Sequence, residues 1–176
     1  EIDFRSNDIK GNSILHYAAK SQKNLEIIKL IVDWYSKEND LPNDIGATPL
    51  LYAIEGNSVE VVDFLAHFNS AIDKVDANGN DYVTYLAEGF GRMVTGDLKE
   101  KVQYFHKNGM RFDTKQANGN TIFHLLAQKG DVKFMDFFKD YAKGDINKKN
   151  ELGLTPLHII AMNAKSVEDI RAWMNY

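Results

Sequence analysis

The chain has 176 residues, is 44% hydrophobic and 26% charged, carries a net charge of −4 and has no cysteine. That balance suits one globular domain or one short repeat array. It excludes an overall basic footprint for nucleic acid, a continuous apolar membrane span, and any disulfide, thiolate-zinc or cysteine-nucleophile chemistry.

The chain opens at Glu1 with neither methionine nor signal-like regions, which points to a mature product or an excised segment. Ile2-Asp3-Phe4-Arg5 reads as the second half of a turn. Gly11 then leads a string, with Ser13 two places later, Leu15 four places later and Ala18-Ala19 at seven and eight. Ser is a helix N-cap type, and the apolar run behind it predicts a short first helix. Leu25, Ile28, Ile31 and Val32 follow at spacings of three and four, one buried face of a second helix. The stretch from Trp34 to Pro42 is irregular.

The same order returns. Gly46 precedes Thr48, Pro49, Leu50 and Ala53-Ile54, then Val59, Val62, Leu65 and Phe68. Gly79 precedes Asp81, Val83 and Leu86-Ala87, then Leu98, Val102 and Phe105, with Gly89 to Gly96 adding about six residues between the two helices. Gly119 precedes Thr121, Phe123 and Leu126-Ala127, then Val132, Met135 and Phe138. Gly153 precedes Thr155, Pro156, Leu157 and Ile160-Ala161, then Val167, Ile170 and Trp173-Met174. The glycines are 35, 33, 40 and 34 residues apart. In each string the glycine closes a turn, the Ser, Thr or Asp caps the helix, and proline where present starts it without losing a bond. Asn/Asp/Gly-rich segments join one pair to the next, and Asn-Gly at 78–79 and 118–119 marks turns.

The unit resembles the ankyrin repeat, whose hallmark is D-x-x-G-x-T-P-L-H-x-A-A at a period near 33. Gly153-Leu154-Thr155-Pro156-Leu157-His158 matches its core. Ile14-Leu15-His16-Tyr17-Ala18-Ala19, Thr48-Pro49-Leu50 and Thr121-Ile122-Phe123-His124 match in part. Asp81-Tyr82-Val83-Thr84 departs from it. The resemblance covers almost the whole chain and implies an all-α ankyrin-repeat solenoid of antiparallel helix pairs joined by β-hairpin-like finger loops. It is read as a single array over 1–176, with units near 7–42, 43–75, 76–115, 116–149 and 150–176. Its repeat-defining residues are Gly11, His16, Gly46, Thr48, Pro49, Gly79, Gly119, Thr121, His124, Gly153, Thr155, Pro156 and His158.

His16, His124 and His158 share one register, and the resemblance implies that each ring fixes the adjoining finger. No metal site is expected, because the other histidines, His67 and His106, lack partners at ligand spacing. The Gly89 to Gly96 loop is not a phosphate cradle: Val94 stands where a third glycine is needed, and no strand precedes it. The carboxylates are scattered as on solvated helix faces. No catalytic residue, cofactor site or metal ligand is assigned.

A solenoid leaves one long face open. The resemblance implies that partners dock on the finger tips and the exposed side of the first helices. Ile45, Leu152, Leu154 and Met162 are apolar there, and Tyr17, Tyr52 and Tyr85 share one register. These seven are the candidate partner-binding residues, with packing between units as the rival role for the tyrosines. Trp173, Met174 and Tyr176 make the last helix apolar without a polar capping face, so further repeats, further domains or another chain are expected to cover the ends. The function expected is a non-catalytic scaffold binding another protein. The alternatives are a regulatory or substrate-recruiting segment of a larger enzyme or secreted effector, and a sugar- or small-ligand-binding array using the tyrosines. Compartment is left open, cytoplasmic or exported, because the segment carries no targeting signal.

Overall fold

Short apolar runs behind N-cap residues can close only two or three helical turns, and helices that short are marginal alone. They must bury their faces against one another. The computed structural model describes residues 3, 6–21, 23–35, 42–68, 72–90, 95–130, 135–142 and 146–175. Among them are ten helices and no strand, an all-α ankyrin-type solenoid architecture. The helices are α1 (Ile14–Ser21), α2 (Leu25–Tyr35), α3 (Pro49–Gly56), α4 (Val59–Phe68), α5 (Tyr82–Glu88), α6 (Thr95–Lys107), α7 (Ile122–Lys129), α8 (Met135–Tyr141), α9 (Pro156–Asn163) and α10 (Val167–Met174). Residues 91–94 of the Gly89 to Gly96 insertion, Val132, Phe134, and Ile2, Phe4, Arg5 and Tyr176 lie outside the described residues.

The helices start where the cap residues stand. The Thr48 hydroxyl accepts the Leu51 N–H at 3.4 Å, and the Asp81 carboxylate accepts the Thr84 N–H at 3.0 Å. Each such bond satisfies one orphan amide of a first turn, worth about 1 kcal/mol. Pro49 and Pro156 occupy the first helical position. The five turn glycines, Gly11, Gly46, Gly79, Gly119 and Gly153, all sit at φ of 73 to 78°. A side chain in that left-handed region costs about 1–2 kcal/mol, which is why glycine is required.

The chain divides into two compact units, Glu1–Gly89 and Phe90–Tyr176. The division falls at the insertion that interrupts the repeat pattern. In the first unit α1, α3 and α5 stack in series, with α2 against α1 and α4 against α3. Its core is aliphatic: Leu15, Ile28, Val32, Leu50, Leu51, Ile54, Val61, Val62 and Leu65 are buried. Small residues let α1 and α3 approach, and Gly56 comes so close to the Lys20 carbonyl that a β-carbon would overlap it.

In the second unit α7 stacks on α9, with α8 against α7 and α10 against α9. Its core sets an aromatic cluster among aliphatic residues such as Leu98, Val102, Leu126 and Ile160. Phe90, from the start of the insertion, meets Phe138 with ring centroids 5.8 Å apart, Phe112 meets Phe138 at 5.5 Å, and Phe105 meets Phe112 at 6.4 Å. Such tilted and edge-on pairs add about 0.5–1.5 kcal/mol each beyond their buried area.

Candidate functional site

Every finger must satisfy a sharply turned backbone. Asp8 does so by accepting the Lys10 and Asn12 N–H groups, both at 2.8 Å. Asn43 accepts from Ile45 and Ala47, Asp76 from Asn78 and Asn80, and Asn150 from Leu152 and Leu154, at 2.9 to 3.2 Å. These residues stand three places before the glycine. The fourth finger has Gln116 there, and Asn118 accepts the Asn120 N–H at 3.1 Å. The signal was present as a short Asp or Asn at a fixed offset, a turn-forming type.

Neighbouring fingers are then joined. The Asp44 N–H donates to the Lys10 carbonyl at 3.1 Å, Ala77 N–H to the Ile45 carbonyl at 2.6 Å, and Glu151 N–H to the Asn118 carbonyl at 3.1 Å. A side-chain rung runs beside them: Asn43 Nδ2 donates to Asn12 Oδ1 at 2.7 Å, and Asn150 Nδ2 to Asn120 Oδ1 at 2.9 Å. Asn12 and Asn120 are buried by this pairing and hold the scaffold.

The histidines work across the same joint. The Ser13 N–H donates to His16 Nδ1 and the Thr121 N–H to His124 Nδ1, each at 3.1 Å. A backbone N–H can only donate, so Nδ1 holds the lone pair and Nε2 the hydrogen. That Nε2–H donates to the next finger: His16 to the Ala47 carbonyl and His124 to the Leu154 carbonyl, each at 3.0 Å. Burial pushes the His124 pKa below the usual histidine value, which keeps the ring neutral and the tautomer fixed. His158 receives the Thr155 N–H in the same way at 3.1 Å.

The tyrosines form a latch rather than an open ladder. Each stands nine residues after the finger's Asp or Asn. Tyr17 donates its hydroxyl to Asp8 Oδ2 at 2.6 Å and Tyr85 donates to Asp76 Oδ2 at 3.1 Å, while the Tyr52 oxygen accepts Asn43 Nδ2–H at 3.3 Å. The bond from Tyr17, with those from Asn12 and Lys10, holds the Asp8 carboxyl well below the usual range and raises Tyr17 in turn. Burial raises Tyr52 and Tyr85. Tyr17 is exposed, Tyr52 half-buried and Tyr85 only 9% exposed, so three open rings for a sugar are not formed. Lys20 lies over the Tyr52 ring at 5.2 Å and pairs with the buried Glu55 at 3.0 Å.

Of the apolar candidates, Ile45 in the first unit is exposed. In the second unit Leu152 and Met162 are exposed and Leu154 is half-buried. Ile9, at the tip of the first finger, is 97% exposed. It stands two places before Gly11, as Ile45 stands one place before Gly46, and is not among the seven sequence candidates. The second unit also has a cleft of about 290 Å³ lined by His106, Met110, Arg111, Asp113, Asp140 and Tyr141. Arg111 and Asp113 bind one another there through two bonds of 2.9 and 2.7 Å, and the guanidinium holds the Asp113 carboxyl below its ordinary range. Among the described residues no cluster of three His, Asp or Glu could hold a metal, and no helix is long and apolar enough to cross a membrane.

Residues 1–81 match a family model described as three copies of the ankyrin repeat. This chain belongs to the ankyrin-repeat family. The second unit repeats the same finger bonds and the same glycine φ. The ankyrin chain is 31% identical over 157 residues to the probable E3 ubiquitin-protein ligase XBOS32 of Oryza sativa subsp. japonica, covering 86% of this chain and 28% of the ligase. It is 25% identical over 117 residues to alpha-latroinsectotoxin-Lt1a of Latrodectus tredecimguttatus, covering 66% of this chain and 8% of the toxin. The chain thus spans less than a third of either relative. Ankyrin repeats imply a protein-interaction role and are typically non-catalytic.

Proposed function

We propose that this ankyrin chain is a non-catalytic scaffold that holds a partner protein on its finger and first-helix face. The observation that carries the reading is how the fingers use their polar groups. The finger carboxylates, amides and tyrosine hydroxyls are bonded inside the scaffold, and Ile9, Ile45 and the ring of Tyr17 are exposed apolar groups on this face, beside the exposed Lys10 and Asp44. Exposed apolar side chains beside a rigid polar frame are the composition of an interface centre. Leu152 and Met162 supply the corresponding contacts on the second unit. Affinity capture with the wild type, an Ile9→Asp/Ile45→Asp variant and a Lys29→Glu control on α2 tests the face, with melting curves to show that all three fold. Partner recovery falls at least about tenfold for the finger variant alone if two anchor residues are lost. Equal recovery from all three proteins rejects the face.

The rice relative favours a second reading: a substrate-recruiting segment of a larger enzyme, with the chemistry outside these residues. Sequencing the complete transcript separates the two readings, since only the second requires an appended catalytic domain.

A further inference from the structure

The two units differ in charge. The first carries fifteen acidic and seven basic residues, and the second ten acidic and fourteen basic. The difference reaches the fingers and first helices. In the first unit those stretches, 8–21, 43–56 and 76–89, hold Asp8, Asp44, Glu55, Asp76, Asp81 and Glu88 against Lys10 and Lys20. In the second, 116–129 and 150–163 hold one acid, Glu151, and one base, Lys129. An imbalance confined to one face sets the sign of what that face attracts.

The turn itself does not need the charge. Asn43 and Asn150 accept the same pair of finger amides that Asp8 and Asp76 accept. Among the described residues every donor to Asp8 and Asp76 is neutral: backbone N–H groups, the Asn12 and Asn80 amides, and the Tyr17 and Tyr85 hydroxyls. Neutral donors stabilise a carboxylate and leave its charge in place. Asp44 and Glu88 are exposed on the same stretches. The floor between these acids already holds one cation. Lys20 Nζ stands 5.2 Å from the Tyr52 ring centroid and 3.0 Å from Glu55 Oε1. The Tyr52 hydroxyl feels the charges of Glu55, Asp8 and Asp76 together. An aromatic face beside carboxylates attracts cationic side chains.

From this charge pattern we infer that the partner segment held by the first unit is basic: an extended stretch rich in arginine and lysine, lying across α1, α3 and α5, with a cation against the Tyr17 and Tyr52 rings. This rests on the face proposed above and names the chemistry of its partner. Ile9 and Ile45 supply apolar contact at the finger tips, and the carboxylates supply orientation and a fast encounter.

The test titrates the folded chain with a fluorescein-labelled peptide of alternating arginine and leucine, about eight residues, long enough to cross three first helices. A second peptide carries glutamate for arginine. The arginine peptide binds at low ionic strength and weakens as salt is added, and the glutamate peptide does not bind. Asp8→Asn/Asp76→Asn gives the first and third fingers the asparagine of the second and weakens the arginine peptide about tenfold. Asp44→Asn/Glu88→Gln, at exposed positions, acts in the same direction. Asp33→Asn/Glu60→Gln, on α2 and α4, removes as much charge and changes binding less than about twofold. Lys20→Met strengthens binding, because a peptide cation then takes the place over Tyr52 beside Glu55. Melting curves establish that each variant folds. Equal binding of the two peptides, or equal weakening by the finger and the α2/α4 variants, overturns the inference. So does self-association of the chain that Asp8→Asn/Asp76→Asn abolishes, since the occupant is then the basic unit of a second copy. Failure of the arginine peptide while Ile9→Asp/Ile45→Asp still loses the captured partner leaves the face standing and removes only its basic partner.

Discussion

The two units solve one problem with different materials. In the first, aliphatic side chains fill the core, and tyrosine hydroxyls at one register tie each first helix back to its finger. In the second, Leu125 and Ile159 occupy the tyrosine register, and five phenylalanines, Phe90, Phe105, Phe112, Phe123 and Phe138, share the core with aliphatic residues. The joint between fingers is the same in both: one backbone bond, one Asn–Asn rung and one histidine Nε2–H donated forward. Among the described residues the second and third fingers share only the backbone bond from Ala77 to Ile45, because Ala47 and Leu51 stand where the asparagine and histidine would be. The backbone bond is therefore the constant part of the joint, and the side-chain bonds and core filling vary around it.

The largest effect expected on this comparison is Phe138→Ala, which removes the ring at the centre of the aromatic cluster and costs about 3–5 kcal/mol. Urea unfolding read through Trp173 measures it, and a cost below that of Leu50→Ala read through Trp34 breaks the contrast between the cores. Next comes His124→Leu, which strands the Leu154 carbonyl and the Thr121 N–H and costs about 1–3 kcal/mol. The same residue sets a pH dependence. Burial puts its folded pKa below the ordinary histidine value, so the unfolded chain binds the proton first. Its stabilisation is complete above that value and declines as pH falls below it. His124→Leu removes this part of the pH slope, and an unchanged slope contradicts the assignment. Tyr85→Phe costs about 1 kcal/mol, since Asp76 Oδ2 keeps its bond from Asn80 at 2.9 Å. Tyr17→Phe does least to stability and shows instead as an upward shift of the Asp8 carboxyl titration by NMR, because the strongest bond lowering it is gone.

The repeats were legible because they are written five times. A glycine at positive φ, a cap two residues later and an apolar pair at seven and eight leave the same mark wherever they are needed. That the histidine rings fix the adjoining finger was implied by family likeness; the donating Nε2–H and its target carbonyls, on Ala47 and Leu154, were not legible, because neither carbonyl is marked by residue type. The tyrosine register was visible, yet its burial was not: Tyr17, Tyr52 and Tyr85 read alike, and their exposure depends on what stacks beside each. The Asp or Asn three places before the glycine was the clearest signal left unused. Phe90 was hidden inside an apparent insertion loop, and only packing shows that it anchors the aromatic core.

The claim beneath all of this is that each helix pair is held by close approach to its neighbour and not by its own helical propensity. Gly56 tests it with one methyl group. Gly→Ala at a helical position ordinarily stabilises by about 0.5–1 kcal/mol. At Gly56 the added carbon overlaps the Lys20 backbone carbonyl of α1. The account predicts that Gly56→Ala lowers the urea midpoint of the first unit, and a midpoint raised as helix propensity alone would raise it contradicts the account.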